Sequence, residues 1–331
     1  MIIINHSLVL ALLVVGLMCG TAGAKDEPLA LNFNQDQSPG SKTVAESTER
    51  TAAETAEPAP ILWPGFLYGD PHFRDKPRPL GSPLYFEDPF INSDLRVIYL
   101  YHQIPKHSEL RGGDLNAFAL QARLALTDRL QFIATSDNFS HLQSPIIDEA
   151  YGYDDIAAGL KYALLVDHEN DFLLSTGLRW KLSNGHAAVL QGNVDELSPF
   201  FSAYKGWGKW NFIGDVVGRI PMEMDQGNCV LSWDGHVDYE LFQNFFPMFE
   251  VHGLHYLSNG DRLPLDVGGL DYGNIGSHYV AGHSAFWGGV GFRWNIVEHV
   301  SWGVVWEFPM QSTTNNDIFE QRVTTNVILT F

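Results

Sequence analysis

The chain has 331 residues, 45% of them apolar and 13% aromatic, and a formal net charge of −19. That acidity excludes nucleic acid as a partner, since phosphate binding needs a basic patch. Past the N-terminal leader no apolar run is long enough for a spanning helix, and no CxxC, phosphate-loop or dinucleotide motif is present, so no cofactor is expected.

Residues 1–24 read as a cleaved secretory signal. An apolar core at 8–15 is too short to span a bilayer, and Ala22-Gly23-Ala24 supplies small residues for cleavage, although residues 1–6 lack Lys and Arg. Cys229 is then the only cysteine of the mature chain. Residues 25–60 are rich in Glu, Thr, Ala, Ser, Gln and Pro, and predict a disordered linker. Residues 61–94 mix Pro with aromatics, as in Leu84-Tyr85-Phe86-Glu87-Asp88-Pro89-Phe90. The prolines forbid continuous strand pairing, yet the stretch is too apolar to be free. It is expected either at the periplasmic rim of a larger fold or as a plug inside it.

From residue 95 onward, period-two alternation predicts twelve strands: 95–103, 114–126, 130–138, 155–166, 171–181, 198–207, 209–219, 229–240, 246–257, 284–295, 300–310 and 322–331. Short connections alternate with long ones at 104–113, 139–154, 182–197, 220–228, 258–283 and 311–321. An even number of strands, short turns on one side and long loops on the other predict an all-β, transmembrane, antiparallel up-and-down barrel over residues 95–331. A closed barrel leaves no unpaired edge in lipid.

Strand faces sort the side chains. Phe118, Leu120, Ala122 and Leu124 point one way, as do Ala158, Leu160, Tyr162 and Leu164, then Phe172, Leu174, Leu178 and Trp180, then Leu231, Trp233, Val237 and Tyr239. These are expected to face lipid. The opposite face carries Arg123, Lys161, Arg179, Lys181, Asp215, Asp234, His236, Asp238, Glu240, Glu250, His252, Arg293 and Glu307, with Gln121, Thr135, Asp137, Asn211, Arg219 and Arg322. A charge at mid-membrane on the lipid side costs about 2–4 kcal/mol for Arg or Lys, so this face is expected to line the lumen. Its bases gather on the second, fourth and fifth strands, and its acids on the eighth and ninth. Two readings follow: a transverse field in a polar channel for small solutes, or a lumen closed by its own ion pairs.

His255 and Ser258 lie close in His255-Tyr256-Leu257-Ser258-Asn259-Gly260, which resembles the His-x-Ser-Asn pattern of outer-membrane phospholipase A and of lipid A deacylases. The resemblance implies acyl hydrolysis, but the added residue sends His255 and Ser258 to opposite faces of a strand. His236 and His252, near Asp234, Asp238 and Glu250, raise a divalent-cation site without tight His spacing, and no metal is expected. Asn259-Gly260-Asp261 and Asp266 to Asp271 raise a Ca²⁺ loop or a loop folded inward.

The alternating last strand ends on Phe331, which resembles the C-terminal signature of bacterial outer-membrane proteins read by their insertion machinery. Pieces such as Thr127-Asp128-Arg129 after a strand, and Asp155-Ile156-Ala157-Ala158-Gly159-Leu160-Lys161-Tyr162, resemble outer-membrane transporters of the phenol-degradation MetA-pathway type over about 95–331. That resemblance implies passage of small molecules across the outer membrane and assigns no substrate residues. The expected partners are outer-membrane lipid, the barrel-assembly machinery and a small-molecule solute.

Overall fold

The computed structural model describes residues 65–136, 138–311 and 319–331. The expected signal and linker, residues 1–60, lie outside them. The described chain forms one antiparallel sheet of fourteen strand segments. They are β1 (Asp94–Ile104), β2 (Gly113–Ala125), β3 (Leu130–Ser136), β4 (Asn138–Gln143), β5 (Ala150–Tyr153), β6 (Ala157–Asp167), β7 (Phe172–Lys181), β8 (Glu196–Trp207), β9 (Trp210–Pro221), β10 (Val230–Tyr239), β11 (Phe245–Tyr256), β12 (Ser284–Val297), β13 (Val300–Pro309) and β14 (Gln321–Thr330).

β3 and β4 both pair with β2, and pair in turn with β6 and β5. Each couple is one stave of the barrel interrupted once, so fourteen segments make twelve staves. β1 pairs with β2 on one side and β14 on the other, from Asp94 opposite Thr330 to Gln103 opposite Gln321, and this seam closes the sheet. No polar edge is left for lipid to meet.

The structure differs from the sequence reading at 139–154, expected as a loop. It carries a hairpin of β4 and β5 on the long-loop side. Its aromatics alternate and pair across the strands: Phe139 meets Tyr153 edge-on at 5.4 Å, and His141 stacks on Tyr151 at 4.4 Å. Such cross-strand contacts stabilise a hairpin by tenths to about 1 kcal/mol each.

The tight turns at 126–129, 168–171, 208–209, 240–244 and 298–299 share one end with the start of β1 and the finish of β14. At Gly208 φ is +61° and a Cβ would meet nothing within 4 Å, so glycine is favoured there by backbone conformation rather than by space. The longer connections gather at the other end.

Burial follows the alternation: along β10 each inward residue is buried and each outward one is half-buried. The outer wall is apolar, with Phe118 60%, Leu160 50% and Trp180 51% exposed. Aromatics concentrate near the tight-turn rim, including Trp207, Trp210, Phe242 and Trp294, as expected where a barrel meets a lipid–water boundary. Leu160 sits mid-stave between Phe132 and Leu178. Leu160→Arg should destabilise the barrel in lipid vesicles by about 2–4 kcal/mol, measured by urea unfolding. An unchanged stability would place that wall away from lipid.

Candidate functional site

The interior is occupied by the chain's own N-terminal stretch. Residues 65–93 enter from the tight-turn end, where Leu67 N–H donates to Ala125 O at 3.0 Å. A short 3-10 turn, Pro71–Phe73, is capped by Asp70, which accepts from His72 N–H at 3.0 Å. Phe73 and Phe90 pack on Tyr204 of β8, at ring distances of 5.7 and 5.1 Å. The segment rises to a turn at 82–86, closed by Tyr85 N–H and Phe86 N–H on Ser82 O, then descends to Ser93 and β1.

Its composition explains its anchoring. Pro71, Pro77, Pro79, Pro83 and Pro89 bring carbonyls but no N–H, so the wall must supply donors. Arg293 donates to Arg78 O and Pro79 O at 3.0 and 3.2 Å. Gln121 donates to Pro83 O at 2.8 Å. Arg179 donates to Leu84 O and Tyr85 O at 2.6 and 3.2 Å, and Ser175 to Pro89 O at 2.6 Å. The remaining N–H groups find the wall's acids. Leu80 and Gly81 donate to the two oxygens of Glu250 at 2.9 and 2.7 Å, Ser82 to Glu307 at 3.3 Å, and Glu87 to Asp215 at 2.7 Å. Gly81 is required for that approach, because a Cβ there would lie 2.6 Å from Glu250 Oε2 and 2.7 Å from His252 Nε2.

Side-chain charges complete the fit. Glu87 binds Arg123 Nη2 and Lys161 Nζ, both at 2.9 Å, and Asp88 binds Arg96 Nη2 at 2.7 Å. All five residues are at most 4% exposed.

From the opposite end the connection between β11 and β12, 257–283, folds inward. Arg322 binds Asp271 at 2.7 Å and Glu307 at 2.6 Å, and Ser82 Oγ donates to Asp271 at 3.0 Å. Arg219 donates to Leu270 O at 2.6 Å, and Asn274 to Glu196 at 2.9 Å. Burial opposes ionisation of Asp271, but the Arg322 charge outweighs it and holds that carboxyl below its ordinary range. Segment and loop thus meet inside the barrel. The cavities between them near Tyr85 and Tyr272 are about 20 Å³, enough for single waters but not for a solute.

Of the residues read from sequence as facing the lumen, Arg123, Lys161, Arg179, Lys181, Asp215, Asp234, His236, Asp238, Glu250, His252, Arg293 and Glu307 are all buried. Glu240 stands apart: it follows the end of β10, half-buried, its N–H on Lys209 O in the tight turn. Asp137 lies outside the described residues. Residues 65–93 stand between the bases of β2, β6 and β7 and the acids of β10 and β11, while Lys181 on β7 reaches Glu196 on β8 directly at 2.6 Å. His236 bridges Asp238 at 2.8 Å and Glu250 at 2.7 Å, and His252 binds Asp234 at 2.5 Å. Among the described residues no group of three His, Cys, Asp or Glu is arranged to hold a metal ion.

Sequence reasoning did not single out Arg96 or Glu196 as interior residues, and it left Glu87, Asp88 and Asp94 open between rim and plug, and Asp271 open between a Ca²⁺ loop and a loop folded inward. Period two along β1 puts Asp94, Arg96, Ile98, Leu100 and His102 on one buried face, a signal that was there to use. Nothing local marks Glu87 or Asp88.

His255 and Ser258 do not meet. Ser258 Oγ accepts from Cys229 N–H at 2.9 Å, and His255 Nδ1 lies 2.7 Å from Ser284 Oγ, its cross-strand partner. Trp233 Nε1–H donates to His255 Nε2 at 3.1 Å. That fixes the proton of a neutral imidazole on Nδ1, leaving no lone pair to take the Ser284 proton.

No family model matches the chain, and no curated protein matches it by sequence. Solved structures do. An outer membrane channel from Pseudomonas putida F1 aligns with a TM-score of 0.52 at 10% identity, over 77% of this chain and 100% of that one. The NanC porin (TM-score 0.45, 10% identity, 72% of this chain and 98% of that chain) and the KdgM porin (0.42, 8%, 71% and 99%) are also similar. The first likeness shows a shared β-barrel fold.

Proposed function

We propose that the protein is an outer-membrane channel for small molecules, held shut by residues 65–93 and by the 257–283 loop, and conducting when residues 65–93 are displaced. The observation that carries this reading is the chemistry of the filled lumen. Its wall is polar and charged from β1 to β14, and it holds the segment largely by hydrogen bonds and ion pairs. A wall meant only to be filled has no need of such groups, since replacing buried ion pairs with packed apolar residues is often neutral or stabilising. A polar wall can rehydrate when its occupant leaves.

In this reading residues 1–24 direct export and Phe331 marks the chain for the barrel-assembly machinery. Phe331 is 58% exposed at the tight-turn end, its N–H on Ser93 O at 2.9 Å. Arg123, Lys161, Arg179, Asp215, Asp234 and Glu250 would line the opened path.

The test is single-channel recording in planar bilayers, with and without residues 65–93. Stable ohmic steps that are rare in the full chain and sustained in the deletion are expected. Silence from both, with the barrel shown folded by heat-modifiable gel mobility, would overturn the reading. It would favour the second one, a non-conducting structural or partner-binding barrel, which the dense pairing inside the lumen supports.

A further inference from the structure

We infer that the site now filled by Glu87 and Asp88 binds short-chain dicarboxylates once residues 65–93 withdraw, so that this pair is a tethered stand-in for the ligand. This deepens the channel reading and rests on it.

The site is built for two adjacent carboxylates. Arg123 takes Glu87 with a fork, Nη2 to Oε2 at 2.9 Å and Nε to Oε1 at 3.2 Å, the geometry in which guanidinium recognises a carboxylate. Lys161 Nζ lies 2.9 Å from Glu87 Oε1 and 3.5 Å from Asp88 Oδ1, so one ammonium spans both groups. Arg96 Nη2 closes on Asp88 Oδ2 at 2.7 Å. One ammonium touching both keeps the two carboxyls within the span of a short-chain diacid.

The residues that would remain are wall residues: Arg96 on β1, Arg123 on β2 and Lys161 on β6. Their wall counter-charge is Asp94, at 2.9 Å from Arg96 and 3.9 Å from Arg123. Withdrawal leaves three cations against one carboxylate, and a dianion restores neutrality. Buried charges left unpaired are costly, so such an anion competes with the segment and favours the open state.

The experiment uses full-length protein, wild type and Glu87→Gln/Asp88→Asn, in planar bilayers under a KCl gradient, with succinate and its neutral diamide as probes. The variant is expected to open at least tenfold more often, its reversal potential favouring chloride. Succinate should reduce its current in a concentration-dependent way, while the diamide does nothing. A cation-selective open state, or equal effects of the two probes, overturns the dicarboxylate site and leaves the channel standing. If the variant folds but never opens, calorimetry decides: succinate binding without current sinks the channel and keeps the site, and no binding sinks both. If the variant fails to fold, the wild type carries the test. Succinate, and not the diamide, should raise its opening frequency, and no change overturns the proposal.

Discussion

Lys161→Met should loosen the lumen segment while leaving the barrel standing. Lys161 is 0% exposed, and its ammonium donates to Glu87 Oε1 at 2.9 Å and to Asp88 O at 2.7 Å. Removing it leaves the Glu87 carboxylate and the Asp88 backbone carbonyl each short of a donor in a dry setting, which costs about 3–5 kcal/mol. That cost falls on the segment, because the backbone ladders of β6 with β3 and β7 do not involve the ammonium. The open population of residues 65–93 should rise more than about a hundredfold. Hydrogen exchange at the Leu80 and Gly81 amides reads this directly. A lost gel-mobility shift, with the barrel itself unfolding, would mean that the network supports the wall rather than the segment.

Arg322→Met should release the other closure. Arg322 ties β14 to both Glu307 and Asp271, and without it two carboxylates face each other in a buried site. Exchange at Leu270 and Tyr272 should quicken by a similar factor, since one partner of a buried pair has gone. The pH dependence should invert as well. In the wild type Asp271 is held below its ordinary range, so its contribution is complete at neutral pH and is lost only as pH falls through that lowered value. In the variant only the weaker His102 and Ser82 interactions oppose burial and the facing Glu307 carboxylate, so the carboxyl should rise, and the loop should be loose at neutral pH and tighten on acidification. A variant loop that loosens in acid would remove Arg322 as the cause.

The barrel was legible because its signal is local. Residues two apart along β10 or β14 declare their faces without reference to anything distant, and the alternation of short and long connections orders the staves. Observed strand ends fall within a few residues of those read, for instance Val230–Tyr239 against 229–240 and Phe245–Tyr256 against 246–257. The β4–β5 hairpin was missed because Pro145, Asp148 and Glu149 read as turn residues and the four-residue β5 is too short for its period to show. The filling of the lumen was open between rim and plug for a different reason. Leu80 meets Glu250 across 170 residues, and Glu87 meets Asp215 across 128. Proline-rich, aperiodic chain carries no mark of which distant side chains will take its carbonyls. The His255–Ser258 pairing was a proximity along the chain that the sheet's register replaced with His255 and Ser284.

The seam between β1 and β14 also constrains the order of assembly. Residues 65–93 precede β1 directly, and β1 forms its pairs with the last stave to arrive. Their contacts reach β2, β6 and β7 as well as β11, β12 and β13, so the sheet that the first and last staves close encloses them on all sides. They run into the wall through Ser93, and Leu67 near their other end also lies at the tight-turn rim, on Ala125 O. In the channel reading proposed above they slide out like a tongue without the seam reopening. Closure of the barrel is then a single late event, whereas in that reading emptying of its lumen recurs for the life of the molecule.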